Sequence, residues 1–153
     1  MWKLSKLINK YLTGLMGILM VFMVVDVFLQ VLFRFAIERP LSWTEEVSRY
    51  LFVWIVWIGS AIVFADKAHV GIDILVKKFS LNWQRRMEIL IYLIFLFPLC
   101  IMLYQGVALA KLNMNQPSAA LRMPMGIPYA AIPIAAFVMI LNTLFYVFFP
   151  KEK

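Results

Sequence analysis

Asp26 stands well inside a long apolar run, with Gln30 four positions on and Arg34 eight positions on. Those intervals bring the three close to one face of a helix. A carboxylate at such depth is expensive unless it is paired or hydrated, and so marks a functional candidate. Its chemistry would be proton or cation coupling, a polar clamp to Arg34 or Arg49, or a contact to another subunit. A second group, Glu45, Glu46 and Arg49, has the spacing of helical ion pairs. It reads either as a solvated helix start or as a docking point for a soluble partner or second subunit. A third group, Asp66, Lys67, His69 and Asp73, lies in A-D-K-A-H-V-G-I-D. One histidine and two acids are weak metal ligands without a second helix's contribution. A chain reversal with Gly71 at the bend is the better account. No nucleophile–base pair, phosphate loop or ligand cluster is present, so neither an enzyme nor a bound metal or cofactor is expected. The single Cys100 excludes an intramolecular disulfide, and the single His69 excludes a haem held by two histidines of this chain.

The elements that must position these groups are membrane helices. The chain is 64% hydrophobic with mean hydropathy +0.87, well above the roughly 45–50% apolar content of soluble domains. Spans are expected over 11–33, 47–65, 89–110 and 127–149, within a single membrane domain covering 1–153. Three exceed the length needed to cross about 30 Å of hydrocarbon. The uncharged part of the second, Tyr50–Ala65, holds sixteen residues, or roughly 24 Å as a helix. Its ends therefore rest on Arg49 and Asp66 near the interface, or are shielded by protein. The fold class is all-α, an integral membrane protein of four helices.

Charge sets the expected orientation. The N-terminus, the middle connection and the tail carry ten Lys or Arg, against five in the opposite connections: Arg34, Arg39, Arg49, Lys111 and Arg122. Positive-inside logic places both termini in the cytoplasm. The net charge of +7 is thus a topology signal rather than a sign of a nucleic-acid partner. The basic start is read as an uncleaved first helix, because the apolar run is too long for a signal peptide and no A-x-A-like site follows.

Several local features follow. Ser42-Trp43-Thr44-Glu45 is a capping-box pattern, so the second helix is expected to begin before the membrane. At about 100° per residue, Trp43, Tyr50, Trp54, Trp57 and Ala61 share one face, while Glu45, Arg49, Phe52, Val56, Gly59 and Val63 share the other. Gly59 allows a neighbouring helix to come close. Ile72, Leu75, Val76, Phe79 and Trp83 recur at helical spacing, which predicts an interfacial helix over about 71–81 on the cytoplasmic leaflet. Pro98 predicts a kink or packed defect in the third helix, and Pro133 a bend one turn inside the fourth.

The pattern R-x-L-S-W-T-E-E-x-S-R-Y, a tryptophan-rich span ending in G-S-A, and then A-H-V-G-I-D resembles the small, DctQ-like membrane subunit of tripartite ATP-independent periplasmic (TRAP) transporters. The stretch S-A-A-L-R-M-P-M-G-I-P-Y-A-A-I-P before the fourth helix is similar to that family's second recurrent stretch. The likeness covers nearly the whole chain. It implies a non-catalytic small permease subunit of a sodium-driven importer of an organic acid, of sialic acid or C4-dicarboxylate type, in the bacterial inner membrane. The implied partners are a large permease subunit, which carries the substrate and sodium sites, and a soluble periplasmic substrate-binding protein. Trp43, Glu45, Glu46 and Arg49 would organise the outer face. Trp54, Trp57 and Gly59 would meet the large subunit, while His69 and Asp73 would fix the cytoplasmic turn. The rival from another class is an autonomous small antiporter that exchanges protons for cations at Asp26. A membrane anchor for some other complex shares the topology and differs only in its partner.

Overall fold

Helices account for most of the described residues, because an apolar stretch in hydrocarbon must bond its backbone internally. The computed structural model describes residues 2–39, 41–67 and 81–148. Its helices are α1 (Trp2–Phe35), α2 (Ser42–Lys67), α3 (Leu81–Leu112), the single turn α4 (Gly126–Tyr129) and α5 (Ala131–Phe148). Four stretches are long and apolar enough to cross a membrane: Leu7–Phe35, Ser42–Ala65, Ile89–Leu112 and Gly126–Phe145. The fold is therefore all-α with four spanning helices. The expected interfacial helix over 71–81, with its bend at Gly71, lies outside the described residues except for Leu81, which begins α3. His69 and Asp73 lie outside them as well.

The second helix begins at Ser42. Both the Thr44 amide and the Thr44 hydroxyl donate to the Leu41 carbonyl, at 3.2 and 2.7 Å. The helix of α3 runs on through Pro98, whose side is exposed. The fourth span is divided instead. Its break falls at Ala130, just ahead of Pro133, whose ring cannot donate to the preceding turn.

Packing follows the order α1, α2, α5, α3. The first two form an antiparallel hairpin, α3 and α5 form another, and α2 joins them through α5. Ala61 of α2, Leu99 of α3, and Ala135 and Met139 of α5 make the core, with Trp57, Phe64, Met102, Val138 and Ile140 against it. The Phe64 and Phe95 rings meet edge to face, 6.0 Å apart. Small residues set these distances, since lipid offers no hydrophobic drive between helices and close backbone approach must supply the attraction. Ala131, Ala135 and Ala136 are fully buried on α5. A Cβ at Gly106 would lie 2.9 Å from Pro133 Cδ, and one at Gly126 would run into the Ala110 carbonyl oxygen.

Burial is uneven along this order. In the spanning window of α5 44% of residues are buried within the chain, against 6% in that of α1. Most of the apolar surface of α1, and much of α3, faces outward.

Gly126→Ala is expected to destabilise the protein by about 1–3 kcal/mol through overpacking, read as a fall of several degrees in the unfolding temperature in detergent. Gly14 has nothing within 4 Å of its would-be Cβ, so Gly14→Ala is expected to leave that temperature unchanged or raised. Equal temperatures for Gly126→Ala and the parent would show that the backbones do not approach so closely.

Candidate functional site, a carboxylate seated in the hairpin after α3

At the end of the bundle where α1 closes, α2 opens and α3 closes, the connection from α3 to α4 folds back on itself. Pro117 and Pro124 sit opposite one another in an antiparallel bridge. Neither can donate, so their neighbours make the pairing: Ser118 N–H to the Met123 carbonyl and Met125 N–H to the Gln116 carbonyl, both 2.9 Å. The Met123 amide also donates to Ser118 Oγ at 3.2 Å. The tip turns through Arg122, whose φ of 53° lies in the left-handed region.

This tip is fastened to α2. Successive helical residues point about 100° apart, so Glu45 faces outward and Glu46 inward, where it is buried. The Glu46 Oε2 accepts the amides of Ala120 at 2.8 Å and Leu121 at 2.9 Å. Its Oε1 accepts the Tyr50 hydroxyl one turn along α2, and that phenol oxygen also lies 3.0 Å from Met125 Sδ. The Ser118 side chain is a further hydrogen-bonding neighbour of the carboxylate. An ionised carboxylate only accepts, and every group turned toward Glu46 donates. Two successive amides around one anion form a backbone nest. The arrangement seats and holds a loop; no reacting centre is assembled.

A second polar contact lies deeper. Asp26 is buried between α1 and α2, and its Oδ2 accepts the Ser48 hydroxyl. The arginines weighed as its partners both lie exposed, and the Arg34 guanidinium sits 5.9 Å over the Phe35 ring. Gln30 is half-buried on the same face. A Cβ at Gly59 would lie 3.3 Å from Met16 Sδ, so the close neighbour of Gly59 is α1. Trp57 packs against the chain's own core and Trp54 is half-buried. Trp43, Glu45 and Arg49 are exposed on the outer end. Among the described residues, no three His, Cys, Asp or Glu side chains gather as metal ligands would.

Tyr50, Ser118, Ala120 and Leu121 were not singled out as site residues by type, because backbone amides carry no sequence signal. Ser48 was not singled out either. A six-residue connection closing the α1–α2 hairpin sets Asp26 within one turn of it, which is a usable signal.

Replacing Glu46 by Ala is expected to free the hairpin tip. Trypsin cleavage after the exposed Arg122 should then accelerate by about tenfold or more, as local opening becomes easier, with Glu46→Gln intermediate. Unchanged cleavage in both variants would show that the carboxylate does not hold the loop.

Known proteins match this chain along its length. The family described as "Tripartite ATP-independent periplasmic transporters, DctQ component" matches residues 23–149. A TRAP transporter small permease protein of Haemophilus influenzae is 30% identical over 161 residues, covering 100% of this chain and 99% of that protein. A second small permease protein of the same organism is 26% identical over 151 residues, covering 99% and 89%. The isethionate TRAP transporter permease protein DctMQ of Oleidesulfovibrio alaskensis is 28% identical over 104 residues, covering 67% of this chain and 16% of that longer protein. By these matches, and with four helices long and apolar enough to cross a membrane, the chain belongs to the DctQ family of small membrane subunits of TRAP transporters, and is a non-enzymatic, multi-pass transport component.

Proposed function

We propose that this chain is the scaffold subunit of a sodium-driven organic-acid importer in the bacterial inner membrane. It braces a large permease subunit and transports nothing by itself. The observation that supports this most is how its polar groups are used. Asp26 is engaged with Ser48, and Glu46 is engaged with the outer hairpin. Autonomous transport sites instead gather several polar groups around broken helices near the bilayer middle. The outward apolar surface of α1 and α3 is then shared between lipid and the large subunit. A relative whose name joins M and Q in one permease protein fits a small and a large component that work together.

On this reading both termini are cytoplasmic, and an interfacial helix over 71–81 with His69 and Asp73 fixes the inner turn. Trp43, Glu45 and Arg49 organise the periplasmic face, Trp54 and Trp57 of α2 meet the large subunit, and Gly59 lets α1 come close. The cargo is an organic acid of sialic acid or C4-dicarboxylate type, with sialic acid preferred on general likeness.

The test is co-expression with the neighbouring large permease. The tagged chain is expected to bring down that permease, and its deletion to abolish sodium-dependent acid uptake. The chain alone in proteoliposomes should move neither protons nor cations. Asp26→Asn keeps an acceptor for Ser48, so uptake by the complex should stay within about twofold of the parent, a change of less than about 1 kcal/mol. Proton-coupled cation exchange by the chain alone, lost in Asp26→Asn, would instead establish an autonomous antiporter. Uptake that survives deletion of the chain would also refute the scaffold.

A further inference from the structure

The connection between α3 and α4 holds three of the chain's ten methionines, Met114, Met123 and Met125. The sulfur of Met125 touches the polar hold on the hairpin. The Tyr50 oxygen lies 3.0 Å from Met125 Sδ, and the same hydroxyl donates to Glu46 Oε1. A phenol has a single proton to give, and a thioether is a weak acceptor. The carboxylate therefore keeps that proton while the sulfur fills the space beside it.

Methionine is the member of this group that can change its chemistry. A two-electron oxidant adds one oxygen to the sulfur and turns an apolar thioether into a polar, chiral sulfoxide. Met125 is half-buried, and Pro124 before it and Ile127 just beyond Gly126 are exposed. Met139, by contrast, is buried in the core between helices. Oxidation at Met125 sets a stronger acceptor within reach of the Tyr50 proton, and one proton cannot serve both it and the carboxylate. Space is short as well. At 3.0 Å the sulfur and the phenol oxygen are already in contact, so the added oxygen displaces one of them.

We propose that Met125 is an oxidation site that controls the hold on the hairpin. A hydroperoxide gives one oxygen atom to the sulfur: the O–O bond breaks, the S–O bond forms, the sulfur is oxidised by two electrons, and the peroxide leaves as water or an alcohol. The sulfoxide then draws the Tyr50 hydroxyl from Glu46 Oε1 and pushes the foot of the hairpin away from α2. Glu46 Oε2 keeps the Ala120 and Leu121 amides, so the loop loosens without being released. Reduction of the sulfoxide restores the thioether and with it the hold. The site stands on contacts within this chain and is independent of the scaffold reading and of the cargo.

The test treats the parent chain, reconstituted in lipid, with dilute hydrogen peroxide. Oxidation of each methionine is followed by peptide mass spectrometry, and the hairpin by trypsin cleavage after Arg122 once the peroxide is removed. Met125 is expected to oxidise along with the exposed Met114 and well before the buried Met139. Cleavage should then accelerate by about threefold or more, the effect of losing roughly one hydrogen bond, and methionine sulfoxide reductases should return it to the parent rate. Met125→Leu conserves volume and should cleave at the parent rate before and after peroxide, although Met114 is still oxidised. Tyr50→Phe removes the contested proton and should cleave faster from the start, with little further response. Met125 left unoxidised when Met114 is fully converted would overturn the site. So would unchanged or slowed cleavage at full conversion of Met125, or an undiminished response in Met125→Leu or Tyr50→Phe.

Discussion

One carboxylate fastens the end of this molecule at which α1 closes and α2 opens. Glu46 belongs to α2, and the amides of Ala120 and Leu121 belong to the connection between α3 and α4. At this end, the two helical hairpins of the bundle are tied through that contact. The interaction suits its place. A carboxylate brings full charge to two backbone donors that a loop at a membrane surface would otherwise have to satisfy with water. Tyr50 closes the other side of the carboxylate and reaches Met125 at the base of the hairpin. The loop is therefore held at its tip and at its foot by two side chains one helical turn apart.

Below that node the constraint is the bilayer. Lipid gives helices no hydrophobic reason to associate, so attraction must come from close approach and a few polar contacts. The chain supplies both in order. Alanines and Gly106 bring α5 against α3. The close pass of Gly59 by Met16, together with the Asp26–Ser48 bond, holds α1 against α2. The result is an arrangement with a well-packed α5 and an outward-facing α1. Both acids that are buried among the described residues, Asp26 and Glu46, are engaged inside the chain.

Much of this was legible in the sequence, and for physical reasons. Four spans follow from hydropathy alone, because a helix in hydrocarbon tolerates so little else. The helix α2 does start at the Ser42 pattern, but the bonds at that end run from Thr44 to the Leu41 carbonyl; the close approach at Gly59 follows from the missing side chain. The burial of Asp26 was legible as a demand for a partner. The partner was harder to find, since arginines carry the stronger charge argument but Ser48 has the better register. The least legible contact was the one at Glu46. Two adjacent glutamates look alike in sequence, yet the helix turns one to water and the other inward. The groups that receive the inner one are main-chain amides more than seventy residues away. The stretches around Glu46 and around Ser118 both carried the resemblance, but nothing in either indicated that they bind one another.

Amide exchange on the parent chain, reconstituted in lipid, tests the central claim most directly. Hydrogen–deuterium exchange resolved at Ala120 and Leu121 should show both amides protected well beyond their solvent-exposed neighbours at the hairpin tip, as hydrogen bonds to a buried carboxylate require. Exchange of both amides at the rate of an unstructured loop would mean that Glu46 does not join the two halves of the outer end, and the account built on that contact would fail.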